Sequence, residues 1–338
     1  MSCFSPANAI QCAISRPSHR KLWIGFAGAI SAGLFISACA RLATIGTEDT
    51  VQLTHTATLI DEVKSFGKSL GIEPTPALRR TTQDSQALSM LWLWMQHVGT
   101  LAVNGPIDIR LAIGFSAEKE RLKIEQVYRV DGYSVYYRQG NEFSDSRSVA
   151  TIGFAAEPLL RRVMVVLHED LHGDANFALP WEIEESLVTP LGYLAMVAFF
   201  QRKNDPAASS NAVTYLNEER QISRELNSLV AEAIPVLKSL PIDAAKEKIL
   251  QRISHYPNYQ RQFERQIRGQ HPPTVLEAKL SHDLAYYRYF DRIALLAEQA
   301  PDLKTLIHDL KGLPPDATLQ TTEKYLAELS FRYGAAAS

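Results

Sequence analysis

The sequence of 338 residues predicts a mainly α-helical protein that has a small β element and a C-terminal helical bundle. Three observations favour this fold class. Apolar residues recur at helical spacing over most of the chain after Asn204. Prolines stand between these amphipathic segments, as they do where one helix ends and the next begins. Residues 133–137 alternate in polarity and predict one short strand, which ends near Gly140.

The composition excludes several other classes of protein. Hydrophobic residues make up 46% of the chain and charged residues 21%, which are the proportions of a folded protein. The 35 basic and 37 acidic residues leave no positive surplus, so no nucleic-acid partner is expected. A mean hydropathy of -0.12 excludes a polytopic membrane protein.

Residues 1–38 have the features of a secretory signal peptide. They contain Arg16, Arg20 and Lys21 but no acidic residue, and an apolar run follows from Leu22 to Ile36. That run is shorter than the roughly twenty residues that a membrane-spanning helix needs. An uncleaved N-terminal anchor is the alternative interpretation.

The apolar run leads into Ile36-Ser37-Ala38-Cys39, which resembles the lipobox of bacterial lipoproteins. The resemblance implies cleavage before Cys39, acylation of this cysteine and anchoring in a lipid bilayer. Ala40 follows instead of aspartate, which by the sorting rule of such lipoproteins predicts the outer membrane, facing the periplasm. Cleavage would remove three basic and no acidic residues, so the formal net charge would move from -2 to -5. Residues 39–338, predicted to form a single domain, contain no cysteine after the acylation site, which excludes structural disulfides and thiol catalysis.

Two helices are predicted ahead of the short strand. Residues 84–103 form the first, because apolar side chains recur there at helical spacing. These side chains are Leu88, Leu91, Met95 and Val98. Trp92 and Trp94 within this helix are interpreted as core residues rather than as a ligand site. The second helix covers residues 117–130, with Ser116 as its capping residue.

The C-terminal bundle is predicted as a series of amphipathic helices in a helical part of about 213–333. The predicted helices cover 213–233, 242–268, 274–299, 301–311 and 317–333. The prolines that separate them are Pro235, Pro241, Pro272, Pro273, Pro301, Pro314 and Pro315. This part is interpreted as a packing domain.

Residues 157–173 are predicted to form a helix, because a proline stands in its first turn and a glycine at its end. This helix carries the strongest candidates for metal-binding and catalytic residues. His168 and His172 are four residues apart, so their imidazoles project from one face and can bind a single zinc ion. Glu169 can then reach a metal-bound water without ligating the metal. The pattern His-Glu-x-x-His is the signature of zinc-dependent peptidases. The alternative interpretation is a pair of histidines in the protein core.

A catalytic zinc ion needs a third protein ligand, and the next predicted helix opens with an acidic cluster. Glu185 is the first choice, because twelve residues separate it from His172 and let the chain double back. Glu182 lies a turn earlier on nearly the same face and is the second choice. Acidic residues in a first helical turn also interact favourably with the helix dipole. This is the alternative role for the glutamates of the cluster that do not bind the metal, Glu184 included. The active-site helices are thus expected over about 157–202.

Several segments match a lipoprotein family of Gram-negative bacteria in order and spacing. The matching segments are Cys39, Gly132-Tyr133-Ser134-Val135-Tyr136, Pro158-Leu159-Leu160, His168-Glu169-Asp170-Leu171-His172 and Glu185-Ser186. On these residues the chain resembles the predicted zinc aminopeptidases of the wider gluzincin class, as a diverged member. The resemblance implies a zincin-like core with one zinc ion held by His168, His172 and Glu185. Asp170 departs from the family pattern and is expected to add a negative charge beside the metal.

The predicted function is a lipid-anchored zinc peptidase that hydrolyses peptides, with Glu169 as general base. The residues considered for stabilising the oxyanion are Tyr136, His282 and Tyr287. The family name implies an aminopeptidase, in which Glu182 or Glu184 would hold the free amine of the peptide. The alternative is a non-catalytic envelope lipoprotein whose helical body serves as a binding or scaffold surface. The sequence makes no prediction about oligomeric state.

Overall fold

The computed structural model describes residues 35–84, 90–114, 131–140, 143–173 and 176–337, and only the backbone of 35–47, 112–114 and 336–337. The predicted signal peptide up to residue 34, the side chain of Cys39 and the predicted helix with its cap Ser116 lie outside this description. Contacts divide the chain into two units, residues 1–46 and residues 47–338. The described backbone of the first unit, from residue 35, is helical.

The described part of the chain is mainly helical, which confirms the predicted fold class at that level. The helices are α1 (Phe35–Ser69), α2 (Ile152–Ala156), α3 (Leu159–Leu171), α4 (Trp181–Arg202), α5 (Pro206–Ser239), α6 (Ile242–Ile253), α7 (Pro257–Gln266), α8 (Pro272–Tyr287), α9 (Phe290–Gln299), α10 (Leu303–Leu310) and α11 (Leu319–Ala337). The strands are β1 (Thr81–Thr82), β2 (Met90–His97), β3 (Ile109–Gly114), β4 (Tyr133–Gly140) and β5 (Ala150–Thr151).

The predicted helix over residues 84–103 is wrong, because Met90–His97 within it form the central strand of an antiparallel sheet ordered β3-β2-β4. Almost every residue from Met90 to Met95 is apolar, so a helical spacing can be found in a segment that has no helical period. Tryptophan favours strands, and partner strands on both sides satisfy the backbone. The predicted strand at residues 133–137 is confirmed as part of β4.

The two faces of this sheet have different environments. Leu91, Leu93 and Met95 form a small apolar cluster on one face. Trp92 and Trp94 project from the other face, where α8 packs against β2 and β4. Trp94 is buried and Trp92 is half-buried against the main core, so their interpretation as core residues is confirmed for Trp94 and only partly for Trp92.

The C-terminal part is helical as predicted, but three helix boundaries differ from those that the proline positions suggest. Pro235 lies inside α5 and does not end it. The predicted helix 242–268 is divided into α6 and α7, and α7 begins where Glu225 accepts the backbone N–H groups of Asn258 and Tyr259 at 2.8 and 2.9 Å. The predicted helix 274–299 is divided into α8 and α9, and the carbonyl of Tyr287 at that break accepts side-chain hydrogen bonds from α5.

Helix α4 lies at the centre of the main unit. It packs against α3, α5, α8 and α9, and its apolar side chains are buried almost throughout. It is also the one helix among the described residues that is long and apolar enough to cross a membrane, yet 83% of that apolar stretch is buried inside the fold. Such burial is typical of the core helix of a folded domain.

Candidate metal centre

Helices α3 and α4 bring together the three side chains that the sequence predicts as metal ligands. Val163, Leu167 and Leu171 form the buried stripe of α3, which fixes the direction of its remaining faces. His168 and His172 then project toward the first turns of α4. The predicted helix at 157–173 is thus confirmed, and of the two predicted third ligands it is Glu185 that reaches the histidines.

The three ligand atoms form a nearly equilateral triangle. His168 Nε2 lies 3.2 Å from His172 Nε2, and Glu185 Oε2 lies 3.3 Å from His172 Nε2 and 3.6 Å from His168 Nε2. A tetrahedral zinc ion with ligand bonds of about 2.0–2.1 Å requires ligand atoms about 3.3–3.4 Å apart. The triangle therefore has the dimensions of a mononuclear metal site, and the cluster can hold a metal ion.

The three side chains of this cluster are largely buried, so leaving their polar atoms without a partner would cost free energy. The side chains of His168, His172 and Glu185 are 13%, 12% and 8% exposed. Glu185 Oε2 is buried and accepts no hydrogen bond from the described residues. A buried carboxylate oxygen in that condition fits a cation better than it fits a hydrogen-bond network.

The charges of the three clustered side chains are strongly coupled. Burial, followed by the charge of His172, lowers the pKa of His168 to about 3, so this imidazole is a neutral ligand. Burial opposes both charges of the His172–Glu185 pair, but their mutual attraction prevails. It raises the pKa of His172 well above the ordinary value and lowers the pKa of Glu185 to about 2.

Two further side chains orient the ligands from behind. Trp181 Nε1 donates a hydrogen bond of 3.0 Å to Glu185 Oε1, which leaves Oε2 facing the imidazoles. Glu184 Oε1 lies 2.6 Å from His172 Nδ1, so a proton on Nδ1 leaves the lone pair of Nε2 for a metal. The acidic cluster thus provides one ligand and one supporting carboxylate.

Gly192 allows the close approach of α3 and α4 behind His168. A Cβ at this position would lie 3.2 Å from His168 Cβ and 3.4 Å from its Cα. Those separations are tighter than ordinary van der Waals contact. The absence of a side chain at Gly192 therefore helps to set the distance between the histidines and Glu185.

We expect substitution of Gly192 to weaken metal binding in proportion to the size of the new side chain. The Gly192→Val variant should separate α3 from α4 and lower the affinity for zinc by about tenfold or more, since overpacking of this kind costs about 1–3 kcal/mol. The Gly192→Ala variant should show an intermediate affinity. Competition against a chromogenic zinc chelator measures both. Equal affinities in all three proteins would contradict this role of Gly192.

A cavity of about 630 Å³ opens in front of the three ligands. Glu169 is largely buried in its wall, beside His168 and His172, which is the position expected of a general base. Glu182 does not contribute to this wall, and its charge acts instead on Arg288.

The three residues considered for an oxyanion differ in their positions. Tyr287 lies in the cavity wall, but its hydroxyl donates to Glu219 at 2.6 Å and is therefore engaged. Tyr136 is fully buried behind the wall, stacked against Trp94. His282 lies in the wall, and among the described residues its buried Nε2 has no hydrogen-bond partner.

A buried network fixes the ring of His282. Its Nδ1 lies 2.9 Å from Asp283 Oδ1, while Asp283 Oδ2 accepts hydrogen bonds from Tyr259 and Lys279. Burial lowers the pKa of His282 to about 4, so the ring is neutral at neutral pH. With the proton on Nδ1, Nε2 is a hydrogen-bond acceptor at the cavity wall.

Tyr286 is a site residue that was not predicted from the sequence. It lies one helical turn after His282 in α8, with ring centroids 4.9 Å apart, and it also contacts Trp181. Burial and then the charge of Glu185 raise the pKa of Tyr286 well above its ordinary value, so the phenol keeps its proton. The four-residue spacing from His282 is the signal in the sequence that pointed to it.

The expectation that Asp170 adds negative charge beside the metal is wrong. Its side chain points away from the cluster, where Oδ1 accepts hydrogen bonds from Lys64 Nζ and from the backbone N–H and hydroxyl of Thr75. The backbone carbonyl of Asp170 accepts a 2.6 Å hydrogen bond from Asn176. Asp170 therefore joins α3 to α1 and to the segment that follows α1.

The case for this centre depends on its residues and their geometry. The triangle of ligand atoms, the two supporting contacts and the cavity in front of them are the observations that carry it. No model of a known protein family, no curated protein and no solved structure matches this chain.

Proposed function

We propose that this protein is a zinc-dependent peptidase with a zincin-like core, in which His168, His172 and Glu185 hold one zinc ion. The observation that carries the proposal is the triangle of ligand atoms 3.2–3.6 Å apart beside a buried glutamate at the wall of a large cavity. We further propose, from the sequence alone, that acylated Cys39 anchors the protein to the outer membrane facing the periplasm.

Zinc held by His168, His172 and Glu185 would supply a Lewis acid and would make a water molecule more acidic. Glu169 takes the proton of the attacking water and passes it to the leaving amine, a role that its position beside both histidines supports. Tyr286, protonated and close to Glu185, donates a hydrogen bond to the carbonyl oxygen of the scissile bond.

A graded series of glutamate variants in one helix tests the zinc site. Protein stripped by a chelator should take up one zinc ion per chain and then hydrolyse a mixture of short peptides. The Glu185→Gln variant should bind zinc more than about a hundredfold more weakly, because it loses a ligand. The Glu184→Gln variant should lose about 10–100-fold, the usual effect of a supporting carboxylate.

Glu182→Gln is the matched control, since this glutamate belongs to the same helical turn but not to the cavity wall. It should leave zinc affinity and hydrolysis unchanged. Equal zinc affinities in all three variants, or folded protein that takes up no zinc, would overturn the proposal and favour a non-catalytic binding module. Zinc uptake without hydrolysis of any peptide in the mixture would retain the metal site and remove the peptidase.

A further inference from the structure

We propose that the cavity of this peptidase recognises a carboxylate of its substrate through the guanidinium group of Arg138, assisted by the positive charge of Arg110 and Arg265. The inference depends on the proposed function, because it assigns a substrate class to the same site. It is carried by the distribution of charge around the cavity.

Arginine is the dominant cation of the cavity wall. The arginines in the wall are Arg110, Arg138, Arg147, Arg161 and Arg265. Arg147 is paired with Asp145, and Arg161 lies 3.4 Å from Glu157. Among the described residues, the side chains of Arg138 and Arg265 form no ion pair and no hydrogen bond, and both residues are exposed. These two guanidinium groups are available to a ligand.

The acidic residues of the same wall already have partners. Glu184 and Glu185 face the two histidines, and Asp283 is paired with Lys279. Glu219 accepts a hydrogen bond from Tyr287, and burial raises its pKa, which reduces its negative charge. Among the described residues, the cationic side chains of the wall that have no acidic partner at ion-pair distance are therefore Arg110, Arg138 and Arg265, so these three groups are matched to an anionic ligand.

The sheet brings two of these arginines to one face of the cavity. Trp92 and Trp94 both lie in β2. Arg138 in β4 is directly opposite Trp92, and Arg110 in β3 is directly opposite Trp94. Residues that lie directly opposite each other on paired strands share a face of the sheet. The same face therefore presents two indole rings to the cavity with a guanidinium group on either side.

Arg110 is fixed by aromatic contacts rather than by an acid. Its guanidinium carbon lies 4.9 Å from the ring centre of Trp92 and 4.3 Å from that of Trp181, whose indole nitrogen donates to Glu185. Stacking occupies the faces of a guanidinium group but leaves its N–H edge free for hydrogen bonds. Both Arg110 and Arg138 are also close enough to Tyr286 to oppose the rise of its pKa that burial and Glu185 cause.

A planar guanidinium group matches a carboxylate with two parallel hydrogen bonds. A peptide offers this group in two ways, as its C-terminal carboxylate or as the side chain of aspartate or glutamate. An amine would instead require an acidic partner, and the acidic residues of the wall described above are already engaged. The substrate class is accordingly a peptide with a carboxylate close to the scissile bond.

Two pairs of peptide mixtures test this assignment. The first pair has identical sequences with a free C-terminal carboxylate or a C-terminal amide, and the second has acidic residues or their amides as side chains. The zinc-loaded protein should hydrolyse the acid form of one pair about tenfold to a hundredfold faster in kcat/KM than the amide form. The Arg138→Gln variant should reduce that ratio to near one with its zinc content unchanged. The Arg138→Lys variant should retain part of the preference, since it keeps the charge but not the paired geometry.

Arg268→Gln is the matched control, because Arg268 is exposed and lies outside the cavity wall. It should keep the full preference of the wild type. Binding of the same peptides to zinc-loaded Glu169→Gln protein, followed by tryptophan fluorescence, decides the matter without hydrolysis. An absence of hydrolysis by the wild-type protein would overturn the peptidase, whereas carboxylate-dependent binding to the Glu169→Gln protein would still support this inference. Equal wild-type binding and rates for acid and amide in both pairs, or a preference that survives in Arg138→Gln, would overturn it.

Discussion

The Glu169→Gln variant is expected to lose peptide hydrolysis by about 10²–10⁴-fold while it still binds one zinc ion. The substitution keeps the size of the side chain but removes the group that takes the proton from water. Glu169 is not one of the three ligand residues, so the affinity for zinc should stay close to that of the wild type. The measurements are kcat/KM on a peptide that the wild type hydrolyses and the zinc content of both proteins.

The contrast with Glu185→Gln makes this result specific. That variant should lose zinc and hydrolysis together, whereas Glu169→Gln should lose hydrolysis alone. A Glu169→Gln protein that keeps more than about a tenth of the wild-type rate would contradict the role of general base. Loss of its zinc would show instead that Glu169 supports the metal directly.

The Asp170→Leu variant is expected to lower the free energy of unfolding by about 3–5 kcal/mol, the usual result of leaving one member of a buried ion pair alone. Lys64 and Asp170 are only 4% and 1% exposed, and burial already lowers the pKa of Lys64 despite the attraction of Asp170. Without Asp170, the ammonium group of Lys64 would lose its buried counter-ion and would keep its 3.2 Å hydrogen bond to the carbonyl of Thr75. Urea unfolding measures the change.

A double variant and a surface control complete this experiment. Lys64→Met with Asp170→Leu removes both charges, and it should recover a large part of the lost stability. Lys203→Met breaks an ion pair with Glu62 whose members are 44% and 45% exposed, so its effect should stay below about 1 kcal/mol. Equal losses in Asp170→Leu and Lys203→Met would contradict a structural role for the buried pair.

The metal cluster could be predicted from the sequence because its rules are local. A four-residue spacing in a helix puts His168 and His172 on one face whatever the rest of the protein does. The choice between Glu182 and Glu185 required the position of α4 relative to α3, which depends on side-chain packing. The twelve-residue connection favoured Glu185, and the structure agrees.

The sheet and the cavity depend on residues that are distant in the sequence. Strand β2 is stabilised by pairing with β3 and β4, which lie elsewhere in the sequence. The residues of β2 alone therefore suggested a helical spacing that the structure does not have. Asp170 could not be assigned to Lys64 for the same reason, because 106 residues separate them. The unpaired arginines were invisible in a nearly neutral composition, since only the fold shows which charges have partners.

Helix α4 is both a largely buried helix, with 83% of its apolar stretch inside the fold, and the element that carries Glu185. Hydrophobic packing of α4 thus holds the Glu185 side chain in position. Its conformational entropy is lost when the chain folds, so little more would be lost when an ion binds. A metal centre built in this way would be rigid before it is loaded, so that the ion could be exchanged without a rearrangement of its surroundings. Substitutions that change the shape or charge of the cavity could then change which substrate binds without changing the affinity for the metal ion.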